Sequence, residues 1–219
     1  MSTKLQKVID VNEDQLRRFH ENPLVELVQR PAMPEEEKAR ILGYLQPWSD
    51  TFQRVITLRV ACETDSSLQA LAQQHLTEEL NHNTMLAQAR SDDSGGVWDP
   101  VISAAASWFV DQMLTLSGLE RAVLAHLVLE GAALVFHQAG HGTYRDNEYF
   151  ALHSEADQEH MEMGYRLLAE REDYWQVDEV LELLDRGWQM ITLLCERMAY
   201  SATQRDDSSA RQEHTMLAS

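Results

Sequence analysis

From Leu124 to Phe136 the chain reads LAHLVLEGAALVF, apolar nearly all the way round at helical spacing, inside a helix expected from Leu119 to about Gly140. A helix without a polar face has to be covered on every side, so this segment predicts a central rod with other helices around it. The same rod carries one carboxylate, Glu130, which must then be buried. Burying an unpaired carboxylate costs several kcal/mol, so Glu130 has to be neutralised, hydrogen-bonded or bound to a metal. A metal ligand is the reading taken here. His126, His137 and His141 lie on or just after this helix without a partner spacing of their own and read as packing or solvent residues.

Two further stretches supply partners of the right chemistry. In Phe150–Leu168, His153, Asp157 and His160 recur at spacings of four and three within an unbroken helical pattern. At about 100° per residue their side chains share one face within roughly 60°. In Leu68–Arg90, read as one helix, His75 lies about 20° from His82 on the wheel, with Glu79 about 60° away on that side and Glu78 about 40° away on the other. Glu79-x-x-His82 and Asp157-x-x-His160 are the i, i+3 device by which helical bundles present a carboxylate and an imidazole to one metal. Imidazole with carboxylate suits borderline divalent ions such as iron, manganese or zinc.

The rest of the chain reads as scaffold. Only 9 Gly and 5 Pro occur in 219 residues, and strand-like alternation is nowhere sustained, so the fold class is all-α. Asn12–Gln29 is amphipathic and interrupted at Asn22-Pro23; His20, just before the break, is held only in reserve as a ligand. Glu35, Glu36 and Glu37 open a long helix to about Val60, with a kink expected at Pro47 and structural roles for Asp50 and Glu63. Ser91–Gly96 reads as a surface loop. Asp178–Ala199 forms the last long helix, and a polar tail follows from Ser201.

The net charge of −18 leaves no basic patch to neutralise phosphates, so neither nucleic acid nor an anionic membrane is an expected partner. Cys62 and Cys195 stand far apart in no paired motif, which suits free thiols and a cytoplasmic location. No run of about 18 apolar residues and no signal-peptide core is present.

Four runs in this order, HENPLVELVQ from His20, HLTEELNHNTML from His75, LVLEGAAL from Leu127 and FALHSEADQEH from Phe150, resemble the haem-oxygenase-like dimetal oxidases, also called iron-containing redox enzymes. These are relatives of thiaminase II and of the pyrroloquinoline-quinone synthase oxidase. The resemblance spans about Leu16 to Leu168, and its most specific part is the His-x3-Asp-x2-His run downstream of the buried Glu and the EE-x-x-H helix.

The resemblance implies a haem-oxygenase-like bundle of about seven helices over residues 1–200, with 201–219 as the tail. It implies two Fe2+ ions, with manganese as the alternative, on His82, Glu130, His153, Asp157 and His160 plus a sixth donor on the His82 helix. Glu79 is chosen for that sixth place over Glu78 and His75; His75 stands where some members carry a Glu. It further implies an enzyme using O2 to oxidise a small amino acid, amine or fatty acid, and a homodimer by analogy. Trp108, Phe109, Phe136 and Phe150 are the aromatic residues considered for the pocket wall. Two other readings stay open: a thiaminase II-like hydrolase, which needs a nucleophilic cysteine, and a non-catalytic haem- or ligand-binding protein of the same fold.

Overall fold

Short polar side chains start most of the helices. Ser2 caps α1 (Thr3–Phe19), Asn22 caps α2 (Pro23–Val28) with Pro23 in its first turn, and α3 (Glu35–Ala61) opens on its glutamate triplet. Asp65 caps α4 (Ser66–Glu79), which is followed by α5 (His82–Ala89), and Asp99 caps α6 (Pro100–Thr115). Ser117 and Glu120 form a capping box on α7 (Gly118–Val123). A π-helical turn (Leu124–Leu129) leads without a break into α8 (Glu130–Gly140). Asn147 caps α9 (Glu148–Glu170), and α10 (Val177–Thr203) completes the fold. The computed structural model describes residues 2–90 and 96–204, with backbone alone for 151–158. Among the described residues no strand occurs. The chain is all-α, as expected.

The rod formed by α7, the π turn and α8 is the axis of the core. Every residue from Arg121 to Ala132 is buried, and α1, α2, α4, α9 and α10 pack around the rod. A π turn was not foreseen, because its residues have the same apolar character as a regular helix. Such turns gather at functional sites, and this one ends on Glu130. Helix α9 crosses it closely at Gly164, where a Cβ would lie 2.7 Å from Leu127 Cδ2 and 2.9 Å from His126 Cβ. The crossing holds α9, and with it His160, against the rod.

Two boundaries differ from the sequence reading. The helix expected over Leu68–Arg90 is broken: Asn81 has φ 72°, in the left-handed region, and α5 restarts at His82. Asparagine tolerates that conformation better than most residues, so the Leu80–His82 stretch did hold the signal. At Pro47 the helix continues, as expected, through to Ala61. The carbonyl of Gly43, which Pro47 cannot serve for lack of an N–H, accepts the Val97 N–H at 2.8 Å. Finally, α10 runs past Ser201 to Thr203 with Ser201 and Ala202 buried. The expected loop at 91–95 lies outside the described residues.

Candidate metal centre

His75 and Glu79 lie one turn apart on α4, Glu130 opens α8, and His160 lies on α9. One ligand atom from each of these four buried residues falls within 4.8 Å of the others. Glu130 bridges two imidazoles: Oε1 is 2.8 Å from His75 Nε2, and Oε2 is 3.3 Å from His160 Nδ1. His160 also lies 3.7 Å from Glu79 Oε1 through Nδ1, and its Nε2 donates to Glu78 Oε2 at 2.9 Å. Glu79 Oε2 in turn accepts from His82 Nδ1 at 2.7 Å. Behind His75, the buried guanidinium of Arg59 on α3 approaches Nδ1 at 2.9 Å.

Electrostatics tie this group together. Burial alone would raise the Glu130 carboxyl, but hydrogen bonds from His75 and His160 and the charge on His160 outweigh it and hold the group well below its ordinary range. Burial opposes a charged His160, yet its hydrogen bonds and proximity to Glu130 and Glu78 prevail and hold it at about 9. Burial also raises Glu78, and hydrogen bonds to Gln74 and His160 more than offset this. Two more histidines close the site without sharing its charge. Burial, then the charge on Arg59, depress His126 well below the usual histidine value, and burial takes His137 to about 3.

The structure thus brings together four sequence candidates, Glu79, Glu130, His160 and the alternative His75, with His82 attached through Glu79. Glu78, read as one of three choices on the helix, meets His160 instead. The side chains of His153 and Asp157 lie outside the described residues; their backbone belongs to α9. His20 is exposed at the end of α1, and His141 is exposed.

Sequence reasoning passed over three residues that border the centre. Arg59 sits in an apolar stripe that gave no hint of it. His126 is fully buried, stacks on His75 with ring centroids 4.9 Å apart, and has no hydrogen-bond partner on either nitrogen. His137 lines the adjoining cavity. The i, i+4 spacing of His126 and Glu130 was the available signal for the second of these.

That cavity adjoins Glu79, His82 and Glu130, and its remaining wall is largely apolar, with Leu24, Leu45, Trp48, Phe52, Phe136 and Met198 prominent. Of the four aromatic residues considered from the sequence, Phe136 lines it. Trp108, Phe109 and Phe150 do not; Phe109 lies behind Trp48, with centroids 5.4 Å apart. Tyr149 and Cys195 also reach the wall.

Solved structures share this arrangement of helices. A TenA homologue from Pyrococcus furiosus superposes with a TM-score of 0.73 over 90% of this chain and 100% of its own, at 15% identity. A TenA homologue from Pseudomonas syringae pv. tomato str. DC3000 gives 0.75 over 90% and 92%, at 12% identity. A domain of unknown function with a heme oxygenase-like fold, from Shewanella denitrificans OS217, gives 0.64 over 88% and 89%, at 16% identity. The chain therefore has the haem-oxygenase-like fold that the TenA homologues share. No protein-family model matches it. In sequence, "Uncharacterized protein RP592" of Rickettsia prowazekii (strain Madrid E) is 32% identical over 201 residues, 90% of this chain and 95% of that protein. The chain belongs to the family of this rickettsial protein. Among the described residues, no helix is long and apolar enough to cross a membrane.

Proposed function

We propose that the chain is a non-haem di-iron oxidase that uses dioxygen to oxidise a small substrate held in the cavity beside Glu79, His82 and Glu130. The observation that carries this reading is the convergence of buried carboxylate and imidazole donors from α4, α8 and α9 on one point. Buried charges of this kind are costly unless paired or metal-bound, and the donor types are those that suit iron or manganese. Glu79, His82, Glu130 and His160 would hold the metal, joined by His153 and Asp157, which precede His160 on α9. Iron bound there would supply open coordination positions and electrons for dioxygen chemistry.

The chain's own groups would do the rest. The apolar wall around Trp48, Phe52 and Phe136 excludes water and holds the apolar part of a substrate, while Tyr149 and His137 offer polar contacts on the same wall. His160, bridging Glu130 and Glu78, holds a proton that metal binding would have to displace.

A hydrolase of the thiaminase II kind is the second reading, favoured by one observation: Cys195 lies on the same cavity wall. Burial pushes that thiol up to about 12, so little nucleophilic thiolate forms near neutral pH, which weighs against it. Cys62 does not line the cavity. Anaerobic reconstitution with Fe(II), metal analysis and an oxygen electrode separate the two. The oxidase should take up about two irons per chain and consume oxygen, both lost in Glu130→Gln and His160→Gln and retained in Cys195→Ala. A wild-type chain that takes up no iron, with turnover abolished only by Cys195→Ala, would make it the hydrolase.

A further inference from the structure

His75 is close enough to the centre to count as a donor, yet its two ring nitrogens are not equally available. Nδ1 lies 2.9 Å from Arg59 Nη1, in a pocket where both residues are almost wholly buried. A guanidinium carries N–H donors and no acceptor. The lone pair of the hydrogen bond must therefore come from His75 Nδ1. A neutral imidazole has one donor and one acceptor nitrogen, so the hydrogen sits on Nε2, which faces Glu130 Oε1 at 2.8 Å. Donor meets acceptor at both ends of the ring.

A ligating histidine needs the opposite arrangement, with a lone pair toward the metal and the other N–H donating to a carboxylate, carbonyl or water. Arg59 takes the one lone pair His75 has. Other rings pack against the imidazole: His126 stacks on it at 4.9 Å, and Phe52 meets it edge-on at 6.3 Å.

We propose that His75 is a positioning residue and not a metal ligand: Arg59 holds its Nδ1 as an acceptor, so that its Nε2–H anchors Glu130 Oε1 and leaves Oε2 turned toward His160 and Glu79. The relay lets the guanidinium balance Glu130 through a neutral ring without entering the centre. What Glu130 is positioned for rests on the metal-centre reading; the placement of the hydrogen rests on donor and acceptor geometry alone.

The test is a long-range 1H–15N correlation spectrum of 15N-histidine-labelled protein, first metal-free and then saturated with Zn(II) as a diamagnetic probe. The His75 signals are assigned by their loss in His75→Gln. The expected pattern is Nε2 protonated and Nδ1 unprotonated in the metal-free protein, unchanged by Zn(II), while the His82 and His160 signals move. A His75 protonated on Nδ1, or one that loses its Nε2 hydrogen to Zn(II), overturns the proposal.

Zn(II) titrations of two variants add a second readout. In His75→Gln the amide oxygen can accept from Arg59 and the amide NH2 can donate to Glu130, so zinc stoichiometry and affinity should stay near wild type. In His75→Ala the stoichiometry should hold while affinity falls about 10- to 100-fold, the usual cost of losing an outer-shell partner. Loss of a zinc ion in His75→Gln would make His75 a ligand after all. If the wild-type chain binds no Zn(II), the metal-centre reading fails, and the metal-free spectrum still decides the Arg59–His75–Glu130 relay.

Discussion

Arg121 and Glu130 are both buried charges on the same rod, and they are satisfied in opposite ways. The terminal nitrogens of Arg121 donate to the backbone carbonyls of Leu116 at 2.7 Å and Cys62 at 2.8 Å, with Glu63 Oε2 at 3.5 Å. Glu63 Oε1 accepts the backbone N–H groups of Thr64 and Asp65 at 2.9 and 3.0 Å. That cluster ties chain turns to the core, and losing a member unpicks backbone hydrogen bonds. Glu130 instead meets two imidazoles, from helices far away in sequence. Its contact with His160 can be exchanged for a metal ion without breaking a backbone bond. A buried charge answered by backbone groups of turns holds the fold, whereas one answered by titratable side chains is free to do chemistry.

The sharpest way to break this contrast is to exchange the two effects. Arg121→Met should lower the free energy of unfolding by about 3–5 kcal/mol in urea denaturation, because it strands buried Glu63, while iron per folded chain stays at the wild-type level. Glu130→Gln, close in shape, should lose the iron with a much smaller change in midpoint. If Glu130→Gln unfolds the chain and retains metal, the distinction is wrong.

Glycine substitutions probe the same two regions by crowding. A Cβ at Gly118 would lie 2.4 Å from Glu63 Oε2, so Gly118→Ala should cost about 1–3 kcal/mol and leave metal affinity alone. Gly164→Ala, pressing on Leu127 and His126, should cost a similar amount and weaken metal binding as well, since it levers α9 from the π turn. Calorimetry paired with metal titration checks both.

Asn81 sharpens the picture on the α4–α5 side. With φ at 72°, Asn81→Ala should cost about 1–2 kcal/mol, and Asn81→Gly should be near neutral, in thermal denaturation.

The smallest effect is expected at Asp99, which caps α6 and accepts from Arg197 Nε at 2.8 Å. Burial would raise its carboxyl, but the bonds from Arg197, Ile102 and Val101 win and hold it below the usual range. A lowered carboxyl contributes stability that is fully present above the unfolded value, about 3.9, and lost as the pH falls through the folded one. Asp99→Asn keeps a capping side chain, so it should cost under about 1 kcal/mol at neutral pH and flatten the acid limb of the stability curve.

Much of this molecule is written locally. Ser2, Asn22, Asp65, Asp99, Ser117 and Asn147 start their helices by bonding backbone groups within the next few residues, and the apolar run around Glu130 forces its own burial wherever it is placed. The i, i+3 and i, i+4 spacings of Glu79, His82 and His160 are likewise local, so a single sequence was enough to nominate them as donors. What lay beyond it depends on how helices meet. Arg59 falls in the same apolar register as its neighbours, and nothing along the chain says that it will face His75, which lies on the next helix. The π turn, the close crossing at Gly164 and the stacking of His126 on His75 are set by how side chains interlock between segments distant in sequence. Helical period and capping follow from short-range sterics and hydrogen bonds, so the sequence determines them alone. The rotation and depth at which two helices pack follow from shape on both sides of the contact, and only the tertiary structure decides which nitrogen of His75 meets a guanidinium and which meets a carboxylate.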